Sequence, residues 1–202
     1  MKVVTNGVFA IPLIPECRCS DISRWAKANT FDLTEDFHSL NLDLIIPYRK
    51  SYDRIIRAIG ADLHEIMIDN NIVNLNKQTW ASVKDIAMPY IINWFNTVGH
   101  LPINKYFSHT GYFTTYLMPM IPTSHALFDI EHIDAITNYI KSKYGLTVSN
   151  IPDKPPDFYN YTVPYQEIDV LYKTNENTRQ LIDAWCAEDA RLLSVYNLFV
   201  HP

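Results

Sequence analysis

Residues 8–14, VFAIPLI, and 42–48, LDLIIPY, are short apolar runs bounded by polar or turn-forming residues. Runs of this length suit buried strands, although periodicity alone does not separate them from short buried helix segments. Each leads into sequence with helical spacing. In SDISRWAKA, Ile22, Trp25 and Ala26 recur at intervals of three and four behind Ser20 or Asp21 as N-cap. In SYDRIIRAIGADLHEIM, Tyr52, Ile55, Ile56, Ile59, Leu63 and Ile66 fall on one stripe. A further run, ALFDI at 126–130, precedes EHIDAITNYIKSKYG, where Ile133, Ile136, Ile140 and Tyr144 keep helical spacing. Gly145 fits the position just past that helix.

Residues 79–98, TWASVKDIAMPYIINWFNTV, also read as helix, with a kink or break expected at Pro89 and a stop at Gly99. The tail at 178–199 is amphipathic through Leu181, Ile182, Trp185, Leu192, Leu193 and Val195, and is expected to close the core. Between them, TVSNIPDKPPDFYNYTVP holds Pro152, Pro155, Pro156 and Pro164 and reads as an ordered loop with aromatic anchors. Strand–helix alternation predicts a single domain over 1–202 of the α/β class, with a small, mainly parallel sheet. Ligands of such sheets sit beyond the carboxyl ends of the strands.

Composition narrows the function. A chain of 202 residues, 48% hydrophobic and 19% charged, suffices for one sizeable core. Its formal net charge of -5 argues against nucleic acid as partner while leaving room for a local anion site. Cys17, Cys19 and Cys186 form an odd set with no disulfide framework, which points to a reducing, cytoplasmic setting. They lack the paired spacing of structural zinc, no H-E-x-x-H occurs, and no metal is expected. Absence of the Walker-type and G-x-G-x-x-G loops counts against an ordinary nucleotide kinase or dehydrogenase. The apolar start is too short and Pro-interrupted for a membrane span and lacks signal-peptide features.

Within this acidic chain, Arg49, Lys50, Arg54 and Arg57 crowd directly behind the run at 42–48. In an α/β fold Arg49 ends the strand, and Arg54 and Arg57 share a side of the following helix near its N-terminus. Guanidinium groups and free backbone N–H donors placed so can hold a phosphate. The competing reading is a solvated face paired with Asp53 or Asp62.

LIIPYRKSYDRIIRAI resembles the second nucleotide-binding element of sulfotransferases, a strand followed by an R-x-P-x-x-R-x-x-S-like turn and helix. Arg49 matches the leading Arg and Arg54 the inner one; Ser51 stands where Pro is common, and Arg57 replaces the Ser. SHTGYFTTYLMP, ALFDIEHIDAITNYIKSKYGL and LIDAWCAEDARLLSVYNLF are similar, in the family's order, to its later segments, with Asp189 matching the Asp of the closing helix. The first loop departs from the family's P-K-x-G-[ST]-[ST]. Pro15 and Ser20 fit, but Glu16 stands at the Lys and Arg18 at the Gly.

The resemblance implies a three-layer sandwich of P-loop NTPase-like, sulfotransferase type. It implies 3′-phosphoadenosine 5′-phosphosulfate as co-substrate and sulfuryl transfer to a hydroxyl or amine on a small molecule, glycan or protein. Arg49 and Arg57 would hold the 3′-phosphate, Arg18, Cys19 and Ser20 would surround the 5′-phosphosulfate, and His109 would act as base. Tyr159, Tyr161 and Tyr165 either line an acceptor pocket or pin the Pro-rich loop. A carboxylate at Glu16 repels a transferring sulfuryl group. The alternative is therefore a sulfotransferase-fold protein without catalysis, such as a phage virion or host-interaction component, with a protein assembly partner.

Overall fold

The computed structural model describes residues 2–35, 42–74, 78–98, 125–152, 163–195 and 200–201. Its strands are β1 (Val3–Thr5), β2 (Phe9–Pro12), β3 (Asp32–Thr34), β4 (Asp43–Tyr48), β5 (His125–Asp129) and β6 (Val200–His201). Its helices are α1 (Cys19–Ala28), α2 (Ser51–Asp69), α3 (Trp80–Val98), α4 (Asp134–Tyr144), α5 (Tyr165–Thr174) and α6 (Glu176–Val195). The class is α/β, as the alternation predicts. None of the described helices is long and apolar enough to cross a membrane.

The described strands form one mixed sheet in the order β3-β1-β2-β4-β5-β6. β1 runs antiparallel to both β2 and β3, so β3 points the same way as β2. β2, β4, β5 and β6 are parallel to one another in succession. The β1–β2 hairpin turns at Asn6 and Gly7, where Gly7 takes a φ of 83° and Asn6 Oδ1 accepts from the N–H groups of Val8 and Phe9.

The residues group into two compact units. The sheet unit holds 1–50, 112–154 and 190–202. Its core buries Val4, Phe9, Ile11, Ile45, Ile46 and Leu127 of the sheet together with Ile22 and Trp25 of α1 and Ile136 and Ile140 of α4. Phe31 meets both Phe9 and Trp25 edge-on, at ring separations of 5.6 and 5.3 Å. Helix α4 stops where expected: Gly145 adopts the left-handed conformation (φ 66°) and its N–H bonds the Lys141 carbonyl.

The helical unit holds 51–111 and 155–189. It buries Ile55, Ile59 and Leu63 of α2, Ala87 and Ile91 of α3, Ile168 of α5 and Ile182 of α6. Polar ties join neighbours: Lys84 Nζ and Trp80 Nε1 donate to Glu167 at 2.6 and 3.2 Å, and Tyr52 donates to Asp169 at 2.6 Å. Gly60 allows a close approach, because a Cβ there would lie 2.5 Å from the Val163 carbonyl oxygen.

Of the kink or break expected at Pro89, the break does not occur: helix α3 runs from Trp80 to Val98 with Pro89 inside. Proline in a helix interior costs about 3 kcal/mol. Burial of Val83 and Ala87 before it, and of Ile91 and Phe95 after it, offsets that loss. In the tail helix Leu181, Ile182 and Trp185 are buried, and Leu193 packs against the sheet core. The side chains of Leu192 and Val195, and the stop at Gly99, lie outside the described set.

Candidate functional site

The connections leaving β2 and β4 diverge. From β2 the chain passes through α1 to β3, on one side, whereas from β4 it goes through α2 and α3 to β5, on the other. That divergence makes the carboxyl edge between β2 and β4 the topological switch point, where ligands of open α/β sheets bind. Within the sheet unit, three pieces stand there: the loop at 13–18, the first turn of α1, and Arg49 with Lys50 directly after β4.

The loop is built on a tight turn. The Cys17 N–H bonds the Ile14 carbonyl at 3.1 Å, Pro15 takes the second position, and Glu16 takes the third with φ 61°. A positive φ there marks a type II turn, a site where glycine is usual. Ile14 and Cys17 are fully buried and anchor the turn in the core. Arg18 follows at the N-cap of α1, also left-handed at φ 58° and ψ 30°.

The Arg18 guanidinium lies against protein groups. Its Nε donates to Asp21 Oδ2 at 3.1 Å and a terminal nitrogen donates to the Pro152 carbonyl at 2.7 Å. Asp21, with its side chain 1% exposed, holds Arg24 on its other oxygen at 2.6 Å. This carboxylate in the first turn already complements the positive end of α1. The expected cap at Ser20 or Asp21 therefore shifts: the helix begins at Cys19, and Asp21 acts from inside it. Cys19 is half-buried and Ser20 exposed.

Arg49 is half-buried at the strand end and Lys50 is exposed. Arg57 belongs to the helical unit, where its guanidinium lies 4.2 Å from the centroid of the Tyr165 ring. Its Nε is buried with no hydrogen-bond partner among the described residues. His109, Tyr159 and Tyr161 lie outside the described residues.

The solvated-face reading fails at Arg54. That residue is 0% exposed and its guanidinium donates to Asp189 Oδ2, also 0% exposed, at 2.7 Å. Asp62 is buried as well, at 2% exposure. Helix α2 is covered over more of its circumference than the apolar stripe alone predicts, so charged positions between the isoleucines are internal.

His64 was not singled out by any sequence signal. It sits two turns beyond Arg57, and its Nε2 is buried with no hydrogen-bond partner among the described residues. Burial holds its pKa below the ordinary histidine range, with Glu65 pulling the other way.

Two tyrosines and one cysteine are held in their protonated forms near neutral pH. Burial, with Asp43 as hydrogen-bond acceptor, pushes Tyr144 up to about 12. Burial and the hydrogen bond to Asp169 push Tyr52 above the usual phenol range. The three cysteines are free thiols. Burial and the charges of Asp189 and Asp183 raise Cys186 to about 11, which keeps it protonated and unreactive.

Family models, curated proteins and solved structures were compared with the chain, and none matches.

Proposed function

We propose that this chain is a sulfotransferase-like protein. It binds 3′-phosphoadenosine 5′-phosphosulfate at the carboxyl edge of β2 and β4 and passes the sulfuryl group to a hydroxyl or amine acceptor. One observation supports the reading above others: the switch point falls between the strand that Arg49 directly follows and the strand whose loop opens α1. Arg49 takes a phosphate as a charge-assisted donor. Cys19 and Ser20, at the start of α1, contribute backbone N–H groups to the other anionic end. His109 is assigned the base that accepts the acceptor's proton.

A second reading keeps the nucleotide site without transfer, with a structural or host-interaction role. Two placements favour it. Glu16 stands in the turn where the family has its sulfuryl-contacting Lys, and the nearby Arg18 is drawn to Asp21 and the Pro152 carbonyl. Transition-state charge on the sulfuryl oxygens then has less positive potential to meet.

Thermal unfolding with 3′-phosphoadenosine 5′-phosphate tests binding. At 100 times its dissociation constant the nucleotide adds about 2.7 kcal/mol to stability, and Arg49→Ala abolishes that gain. No shift at millimolar nucleotide overturns both readings. Radiolabelled sulfate transfer to a panel of alcohols, sugars and amines separates them: transfer that rises in Glu16→Lys supports the enzyme. Tight binding without transfer in either form supports the second reading.

A further inference from the structure

Helix α1 presents a row of donors along one side. Trp25 Nε1 donates to the Ser149 carbonyl at 2.6 Å, Asn29 Nδ2 donates to Ser149 Oγ at 3.0 Å, and the Ser149 N–H returns a bond to Asn29 Oδ1 at 3.1 Å. One end of the row is Arg18, bonded to the Pro152 carbonyl at 2.7 Å. Residues 149–152, outside any helix or strand, are thereby strapped along α1, with Ile151 buried beneath them.

The two ends of the strap are held differently. The Ser149 end rests on Trp25, which is 2% exposed and part of the core. The Pro152 end is tied by Arg18, which stands at the edge of the proposed anion site, and its bond lies at an exposed position. Water can replace a donor there at little loss. Asp21 tolerates the exchange too, because Arg24 already holds its other oxygen and α1's first turn favours its charge.

The geometry points to Arg18 as a latch that couples anion binding to the strap. An anion bound at the carboxyl edge of β2 and β4 draws the guanidinium away from Asp21 and Pro152. Arg24 keeps the buried carboxylate paired, and residues 150–152 loosen while Ser149 stays in place. The latch rests on the anion site proposed above and makes Arg18 the residue through which ligand occupancy reaches the strap.

Hydrogen exchange by mass spectrometry, with and without 3′-phosphoadenosine 5′-phosphate, tests the latch, and thermal unfolding of the same samples reports binding independently. The nucleotide is expected to raise the unfolding temperature and to speed exchange of the peptide covering 146–152 about fivefold, the factor corresponding to one net hydrogen bond. A raised unfolding temperature with unchanged or slowed exchange there overturns the latch and leaves the binding site standing. No change in unfolding temperature overturns the site and the latch together. Arg24→Gln is expected to weaken nucleotide binding roughly tenfold and suppress the exchange response, because Asp21 would lose its remaining guanidinium. Arg24→Lys, which keeps the charge, is expected to restore both. Unaltered affinity and response in Arg24→Gln overturn the exchange of partners on Asp21.

Discussion

Arg54 on α2 donates to Asp189 Oδ2 on α6 at 2.7 Å, and neither side chain reaches solvent. The two lie 135 residues apart in the chain. Removing one partner strands a buried charge, at about 3–5 kcal/mol. Asp189→Ala is expected to lower the urea midpoint accordingly with an unchanged slope. Replacing both, Arg54→Met with Asp189→Leu, is expected to recover most of the loss. A single variant within 1 kcal/mol of the parent, roughly the range of a surface pair, would refute a buried role for the pair.

Glu16 occupies a left-handed position that strains any residue with a Cβ, by about 1–2 kcal/mol. Glycine relieves the strain but adds unfolded-state entropy, which takes back about 0.4–1 kcal/mol. Glu16→Gly is therefore expected to raise the melting temperature by about 1–3 °C. Glu16→Val, β-branched, is expected to lower it. Calorimetry on the pair checks the order, and a more stable Val variant would contradict the turn assignment.

At Gly60 two effects oppose. Alanine gains about 1 kcal/mol of helix propensity, but its methyl would meet the Val163 carbonyl at 2.5 Å. Overpacking of that kind costs about 1–3 kcal/mol, so Gly60→Ala is expected to destabilise the protein by about 1 kcal/mol. Chemical denaturation that shows a gain would mean the backbone at Val163 moves aside without resistance.

His64 sets a pH dependence. Its pKa is lowered in the folded chain from an ordinary value of 6.5. The unfolded chain therefore takes up a proton at a higher pH than the folded one. The stability that neutral His64 contributes is present above that value and is lost as pH falls through it, levelling once the folded group also protonates. His64→Gln is expected to show a shallower fall in unfolding free energy between pH 7 and 5. Parallel curves for the two proteins would refute the assignment.

Much of the scaffold is legible in the apolar pattern. The runs at 8–14, 42–48 and 126–130 form β2, β4 and β5, and the stripes behind them form α1, α2 and α4. β1 and β3, three residues each, are too short to display a period of two. β1 pairs with β2 because the Asn6–Gly7 turn folds the chain back on itself, and β3 pairs with the outer edge of β1. The helix continues through Pro89 for a related reason: propensity is local, whereas the burial on both sides of it is not.

The candidate site divides along the same line. By itself the sequence determines which residues end a strand or open a helix, since hydrophobic period and turn chemistry are properties of neighbouring positions. That much places Arg49 behind β4 and the 15–18 turn ahead of α1. What each charge does was decided by tertiary structure. Arg54 and Asp189 pair in the interior, Arg18 turns toward Asp21 and Pro152, and Arg57 lies over Tyr165. A charged side chain takes its partner from whatever the folded backbone brings within about 3–4 Å; Asp21 is local to Arg18, but Asp189, Pro152 and Tyr165 come from segments distant in the chain.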